Sequence, residues 1–144
     1  MSDEQLKTLQ RSYNFGYALG VGESMRAICW QESSGGVDLE NEEDGSEGSY
    51  GHFGINPVIA ATRVYKTWAE PPSKYQVTMM ILALEDFNYG ATMCQGELYH
   101  WMDEHGIGQW TKIWASYNAG NEWEKGKKYA QDIRDKITFL REVT

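Results

Sequence analysis

Apolar side chains recur along this chain at the spacing of helical turns. Met25, Ile28 and Cys29 stand at positions i, i+3 and i+4. Residues at these spacings share one face of an α-helix, so the pattern predicts helices that each bury one face. The same spacing returns in four later stretches, at residues 77–84, 94–101, 110–117 and 129–140.

Glycine residues set the expected ends of the early helices. A first helix is expected over residues 3–14. A second begins near Phe15 or Val21 and stops at Gly35 and Gly36, which suit a helix C-terminus because glycine tolerates a left-handed backbone.

Prolines set the boundaries further along. Pro57 suits the first turn of a helix, where its missing N–H has no partner in any case. The sequence therefore predicts a helix over residues 57–70, which the pair of prolines that follows would end. The helix that contains residues 94–101 is expected to end near Gly106.

The region between the second and third helices has a different composition. Residues 35–51 are polar, acidic and rich in glycine, which is typical of a loop, and a short β-hairpin is expected where "SYGHFGI" follows. No internal repeat or flexible linker divides residues 1–144, so we expect a single domain. The predicted fold class is mainly α, with a small loop and hairpin lobe at residues 35–56.

Composition and charge exclude some classes of partner. A 144-residue chain with 41% hydrophobic residues can build a core, and no apolar run is long enough to cross a membrane. The net charge of −8 argues against nucleic acid or an anionic membrane as a partner. The acidic N-terminus lacks the apolar stretch of a secretory signal peptide, so synthesis in a cytoplasm is expected. Cys29 and Cys94 are expected to be free and buried.

One acidic residue breaks the apolar pattern. Glu32 continues the stripe of Met25, Ile28 and Cys29 at position i+7 and stands at the end of its helix. Burial on the core side and the negative end of the helix dipole both disfavour a charged carboxylate. We therefore expect a raised pKa at Glu32. A salt-bridged glutamate at a frayed helix end is the alternative interpretation.

Three short segments stand at predicted helix ends or loops, where sites are usually built. We call them the glutamate segment ("QESSGG", 31–36), the glycine segment ("GSYGHFGINP", 48–57) and the tyrosine segment ("ASYNAG", 115–120). In order and spacing they resemble the lysozyme-like superfamily, in particular soluble lytic transglycosylases and their phage relatives. The matching residues are Glu32 and Ser33, then Ser49, Gly51, Ile55 and Pro57, then Tyr117, Asn118 and Gly120.

The glycine segment also resembles the "YG-x-FQIN" stretch of animal lysozymes. It departs from the transglycosylase pattern at two places. A glutamine that helps to shape the sugar cleft in that family is Gly54 here, and the preceding Leu-Met pair is His52-Phe53. The contacts with substrate are therefore open, whereas the catalytic glutamate is present.

The resemblance implies a function. It points to a peptidoglycan-degrading enzyme with a substrate cleft beside the hairpin lobe, which cuts the MurNAc–GlcNAc β-1,4 bond without a cofactor. Glu32 would act first as acid and then as base, as in a lytic transglycosylase that leaves 1,6-anhydro ends. The residues expected to bind substrate are Ser33, Ser49, Tyr50, Gly51, His52, Tyr117 and Asn118.

A second carboxylate would favour hydrolysis. Seventeen positions after Glu32, where animal lysozymes have an aspartate, stands Ser49. Glu47 and Asp44 are candidates nearby but are out of register. The missing acid therefore favours transglycosylase chemistry over a hydrolytic muramidase on the same fold.

A calcium site is the other hypothesis for this loop. Glu40, Glu42, Asp44 and Gly45 follow the first half of an EF-hand pattern, but Gly51 replaces the closing glutamate. No metal is therefore expected.

Two further alternatives concern the role of the whole chain. An inactive glycan-binding or virion structural protein could share the fold. A single catalytic domain without a signal peptide is more typical of a bacteriophage, so either an endolysin or a virion-associated enzyme that acts on the host cell wall is expected.

Overall fold

The computed structural model describes residues 1–41, 48–66 and 69–144, and this part of the chain is mainly helical, as predicted. Seven α-helices and one two-stranded sheet form its regular structure, with a 3₁₀ turn at Trp123–Gly126. The elements are α1 (Asp3–Tyr17), α2 (Gly22–Ser33), β1 (Glu40–Asn41), β2 (Ser49–Tyr50), α3 (Pro57–Tyr65), α4 (Lys74–Ala83), α5 (Phe87–His105), α6 (Trp110–Ala119) and α7 (Lys127–Val143).

The first two helices form a tight antiparallel pair. A capping box at Ser2 and Gln5 starts α1, and the helix runs on to Tyr17, three residues beyond the predicted end. The next helix begins at Gly22 with Val21 as its N-cap, which confirms the second of the two predicted starts and not Phe15. A Cβ on Gly22 would lie 2.7 Å from the Tyr13 carbonyl oxygen, so glycine allows the two backbones to approach.

Helix α2 is the central helix of the core. Its predicted apolar stripe is confirmed, since Met25, Ile28 and Cys29 are fully buried, and the helix packs against α1, α5 and α7. Ser34, in the left-handed conformation, ends the helix. The predicted cap residues, Gly35 and Gly36, follow it, also with positive φ.

The hairpin lobe is small. β1 pairs with β2 in antiparallel register, with Glu40 opposite Tyr50 and Asn41 opposite Ser49. Tyr50 and Ile55 then exchange two backbone hydrogen bonds of 3.0 Å, which fold the glycine segment back on itself. The lobe is held to the chain before it by the Gly51 N–H, which donates to Leu39 at 2.7 Å.

The third helix is shorter than predicted. Asn56 caps its N-terminus by accepting hydrogen bonds from the backbone of the first turn. The predicted end at residue 70 is wrong, since the helix stops at Tyr65 and Lys66 adopts a left-handed conformation. Polar caps then start α4 at Ser73 and α5 at Asp86.

The predicted stripes of α5 and α7 are buried, and that of α6 is buried except at Trp110 and Tyr117, which are half-buried. The stripe at residues 77–84 is confirmed in part, since Met80 and Leu84 are buried whereas Val77 and Ile81 are half-buried.

Helix α5 ends at Gly106 as expected, and α6 and α7 pack against each other. Cys29 and Cys94 are free and buried, which confirms that prediction. Within the described ranges, no helix is both long and apolar enough to cross a membrane.

Candidate functional site

Glu32 lies in the last turn of α2 and faces a cleft. Burial raises the pKa of its carboxyl from 4.5 to about 7, while hydrogen bonding to Tyr129 acts in the opposite direction. The Tyr129 hydroxyl is itself buried. The expected rise in the pKa of Glu32 is thus present, and burial is its main cause.

Gly54 lies directly against the Glu32 carboxyl. A Cβ at this position would stand 2.5 Å from Cδ and 2.7 Å from Cγ of Glu32, and still closer to Oε2. The residue also has φ of +60°, a conformation that side chains disfavour. At the position where the resembling family has a glutamine, glycine is thus the residue that leaves room for the buried carboxyl.

Two hydrogen bonds fix the backbone just before Gly54. From one side, the Ser33 hydroxyl lies 2.9 Å from the His52 carbonyl oxygen. From the other side, the Tyr117 hydroxyl donates to the Phe53 carbonyl oxygen at 2.7 Å. The glutamate, glycine and tyrosine segments therefore meet at one place, and the two bonds hold Gly54 against the acid.

The cleft at this junction, which we call the Glu32 cleft, has a volume of about 180 Å³. Its walls come from the hairpin lobe, α3, α5 and the end of α6. Its lining residues are Glu32, Ser49, Gly54, Ile55, Asn56, Ile59, Ala60, Met93, Glu97, Tyr117 and Asn118.

Of the predicted substrate-binding residues, Ser49, Tyr117 and Asn118 line the Glu32 cleft with the predicted acid. Ser33 does not, since it is fully buried and bonded to backbone groups, including the Gly36 N–H at 2.9 Å. It contacts the glycine segment through its hydrogen bond to the His52 carbonyl oxygen.

Three other predicted residues lie outside the cleft. Tyr50 and Gly51 line a separate hollow of about 160 Å³ next to α4. His52 is half-buried, with its ring edge against Phe87 at a centroid distance of 5.1 Å. Burial, and then the charge of Arg11, lower the pKa of His52.

The candidates in the acidic loop fall outside the described residues. Glu47 and Asp44, proposed as second carboxylates, lie in residues 42–47, as does most of the calcium pattern that begins at Glu40. Among the residues that the structure describes, no three His, Cys, Asp or Glu side chains are grouped so as to hold a metal ion.

Sequence reasoning missed Tyr129 and Glu97. Tyr129 belongs to the predicted apolar stripe at residues 129–140, which indicates a helix face and gives no sign of a contact with Glu32, and the residue is buried. Glu97 lies on α5, one turn from Cys94 and one turn from Trp101. That spacing was the available signal, because it places a carboxylate beside a buried helix face.

Three side chains that interact with Glu32 stay uncharged near neutral pH. Burial raises the pKa values of Tyr117 and Tyr129 well above the ordinary range and also raises that of Cys94. Uncharged neighbours of this kind offer no cation to stabilise an ionised Glu32, and only the hydrogen bonding to Tyr129 opposes the rise in its pKa.

A larger groove lies away from Glu32. It has a volume of about 500 Å³ and runs between the α1–α2 pair and the α6–α7 pair. Its carboxylate, Glu23, is bonded to Arg141, which lowers the pKa of Glu23. Size alone therefore does not identify the site, and the raised pKa marks the smaller cleft.

The raised pKa predicts how stability depends on pH. Between pH 4.5 and 7 the folded protein retains a proton on Glu32 that the unfolded chain releases. The free energy of unfolding therefore falls over this range, and the stabilisation present at low pH is lost as the pH rises through 7. Glu32→Gln removes the titration. At about pH 8 the variant should exceed wild type in free energy of unfolding by on the order of 2–3 kcal/mol.

Urea denaturation of both proteins at several pH values measures this difference, which should shrink towards zero near pH 4.5. Glu23→Gln is a control of opposite sign, because the pKa of Glu23 is lowered and its ionised form stabilises the fold. A Glu32→Gln protein that is no more stable than wild type at alkaline pH would contradict the raised pKa of Glu32.

Comparisons with known proteins give one distant relative. In an alignment of 155 positions, the chain is 29% identical to an uncharacterized 20.7 kDa protein from the vs-regB intergenic region of Enterobacteria phage T4. The match covers 97% of this chain and 82% of the phage protein, whose description states no activity. No protein-family model and no solved structure matches the chain.

Proposed function

We propose that this protein cleaves the MurNAc–GlcNAc β-1,4 bond of peptidoglycan as a lytic transglycosylase of lysozyme-like fold. The observation that carries the proposal is Glu32, an acid with a pKa of about 7 in a cleft where three segments meet. A glycosidase needs a carboxyl that is still protonated near its working pH. The order of the segments supports the choice of substrate.

The first step is proton transfer from Glu32 to the glycosidic oxygen while the bond from that oxygen to C1 of MurNAc breaks. The leaving GlcNAc keeps the proton as a hydroxyl, and Glu32 becomes a carboxylate. The resemblance implies that the acetamido group of MurNAc supports the positive charge at C1.

The second step closes the ring. The Glu32 carboxylate takes the proton of the MurNAc 6-hydroxyl while that oxygen bonds to C1, which gives a 1,6-anhydro end and restores the acid. No water is consumed. A single carboxyl held between protonation states near neutral pH suits both halves of this cycle.

One observation favours hydrolysis as a second candidate function. Glu97 places another carboxylate in the lining of the Glu32 cleft. In a hydrolytic muramidase, a second carboxylate would stabilise the oxocarbenium ion or position a water. The product would then carry a reducing MurNAc end.

Mass spectrometry of the soluble fragments released from purified peptidoglycan separates these candidates. We expect MurNAc ends lighter by one water than reducing ends, as 1,6-anhydro sugars are. Reducing ends would favour the muramidase. Release of no fragments would contradict both and favour an inactive glycan-binding protein.

The setting proposed for this activity is a phage infection. The similarity to a phage T4 protein supports a phage-encoded enzyme. Whether such an enzyme would act as an endolysin or from the virion depends on when it reaches the cell wall.

A further inference from the structure

Glu97 lines the Glu32 cleft but takes no part in the two catalytic steps proposed above. It lies on α5 one turn after Met93, and both side chains line the cleft. Its side chain is 13% exposed. A charge this deeply buried needs compensating partners.

Two protein groups supply that compensation. The Arg63 guanidinium from α3 reaches both carboxylate oxygens, with Nη2 at 3.4 Å from Oε2 and Nε bonded to Oε1. Trp101 donates from Nε1 to Oε2 at 3.2 Å. The carboxylate is thus held in one orientation by a two-pronged contact and a third donor.

This arrangement leaves Glu97 able to accept more hydrogen bonds. An ionised carboxylate has about four acceptor sites, and the described protein groups supply three donors. The contact with Arg63 also fixes both carboxylate oxygens in one orientation. The geometry therefore suits acceptance of a further hydrogen bond from a bound neutral donor.

We propose that Glu97 is a substrate-binding residue that accepts a hydrogen bond from a hydroxyl or acetamido N–H group of a sugar ring in the Glu32 cleft. Arg63 and Trp101 hold its carboxylate in place for that contact. The inference rests on the proposed function, since it takes an amino-sugar strand as the ligand.

The alternative role is purely structural, with the Arg63–Glu97 pair linking α3 to α5. The chain offers a matched control for this role. Arg63→Gln breaks the same ion pair but leaves the carboxylate in the cleft, and Arg63 does not line the cleft. Glu97→Gln breaks the pair and also removes the charged acceptor.

The experiment measures KM and kcat of wild type, Glu97→Gln and Arg63→Gln on soluble, uncross-linked glycan strands, together with the melting temperature of each. Both variants should melt at a lower temperature than wild type. Glu97→Gln should raise KM about tenfold with little change in kcat, because the contact is made in the ground and transition states alike. Arg63→Gln should raise KM less, because the carboxylate stays in the cleft although it loses the guanidinium that orients it.

Any other outcome contradicts a specific part of the proposal. Equal rises in KM for the two variants would assign Glu97 a structural role, and so would an unchanged KM in Glu97→Gln. Loss of kcat to the level of a Glu32→Gln protein would make Glu97 a catalytic residue instead. A wild-type protein that cleaves no strand would overturn the proposed function and this inference with it.

Discussion

Replacing Glu32 by glutamine is expected to reduce peptidoglycan cleavage by about 10³–10⁴-fold, the upper range for loss of a general acid, because the same group also serves as base. Glutamine has nearly the same shape and fills the same space beside Gly54, so the fold should be retained. The rate of release of soluble fragments from purified peptidoglycan measures the effect.

Glu23→Gln is the matched control for this variant. Glu23 stands on the same helix but in its first turn, where it is paired with Arg141 outside the Glu32 cleft. We expect this variant to cleave at close to the wild-type rate. A Glu32→Gln protein that keeps substantial activity would exclude Glu32 as the acid.

Gly54→Ala should sharply reduce the cleavage activity. The added methyl group would overlap the Glu32 carboxyl, so either the carboxyl or the backbone must move. The left-handed backbone adds about 1–2 kcal/mol of strain. Since a displacement of about 1 Å can cost on the order of 10²-fold in rate, activity should fall at least that far.

Gly20→Ala separates strain from overlap. Gly20 has φ of +78° but nothing within 4 Å of the position of an added Cβ. The control should lose a similar increment of stability from strain and keep its activity. If Gly54→Ala cleaved peptidoglycan as fast as Gly20→Ala, the close approach of Gly54 to Glu32 would not be needed for activity.

The raised pKa of Glu32 and its place at a helix end could be predicted from the sequence because the signal is local. The spacing of this residue from Met25, Ile28 and Cys29 placed it on a buried helix face, and the positive-φ residues that follow end the helix there. The apolar stripes of the later helices were predictable for the same reason. Each depends on periodicity within about four turns of helix.

The partners of Glu32 could not be found in this way. Gly54 contacts it because the glycine segment folds back through the Tyr50–Ile55 bonds, and Tyr129 arrives from a helix almost a hundred residues later. The spacing of Glu97 indicates a carboxylate beside a buried helix face, but its pairing with Arg63, 34 positions away, is a tertiary contact. These contacts depend on tertiary packing, which periodicity does not encode.

Titration of the Glu32 carboxyl by carbon-13 NMR tests the central claim most directly. In protein labelled at the glutamate side chains, the signal that disappears in Glu32→Gln belongs to this group. Its midpoint should lie near pH 7 in the folded wild-type protein. A midpoint near the ordinary value of 4.5 would mean that Glu32 is ionised at neutral pH, and it could not then serve as the acid.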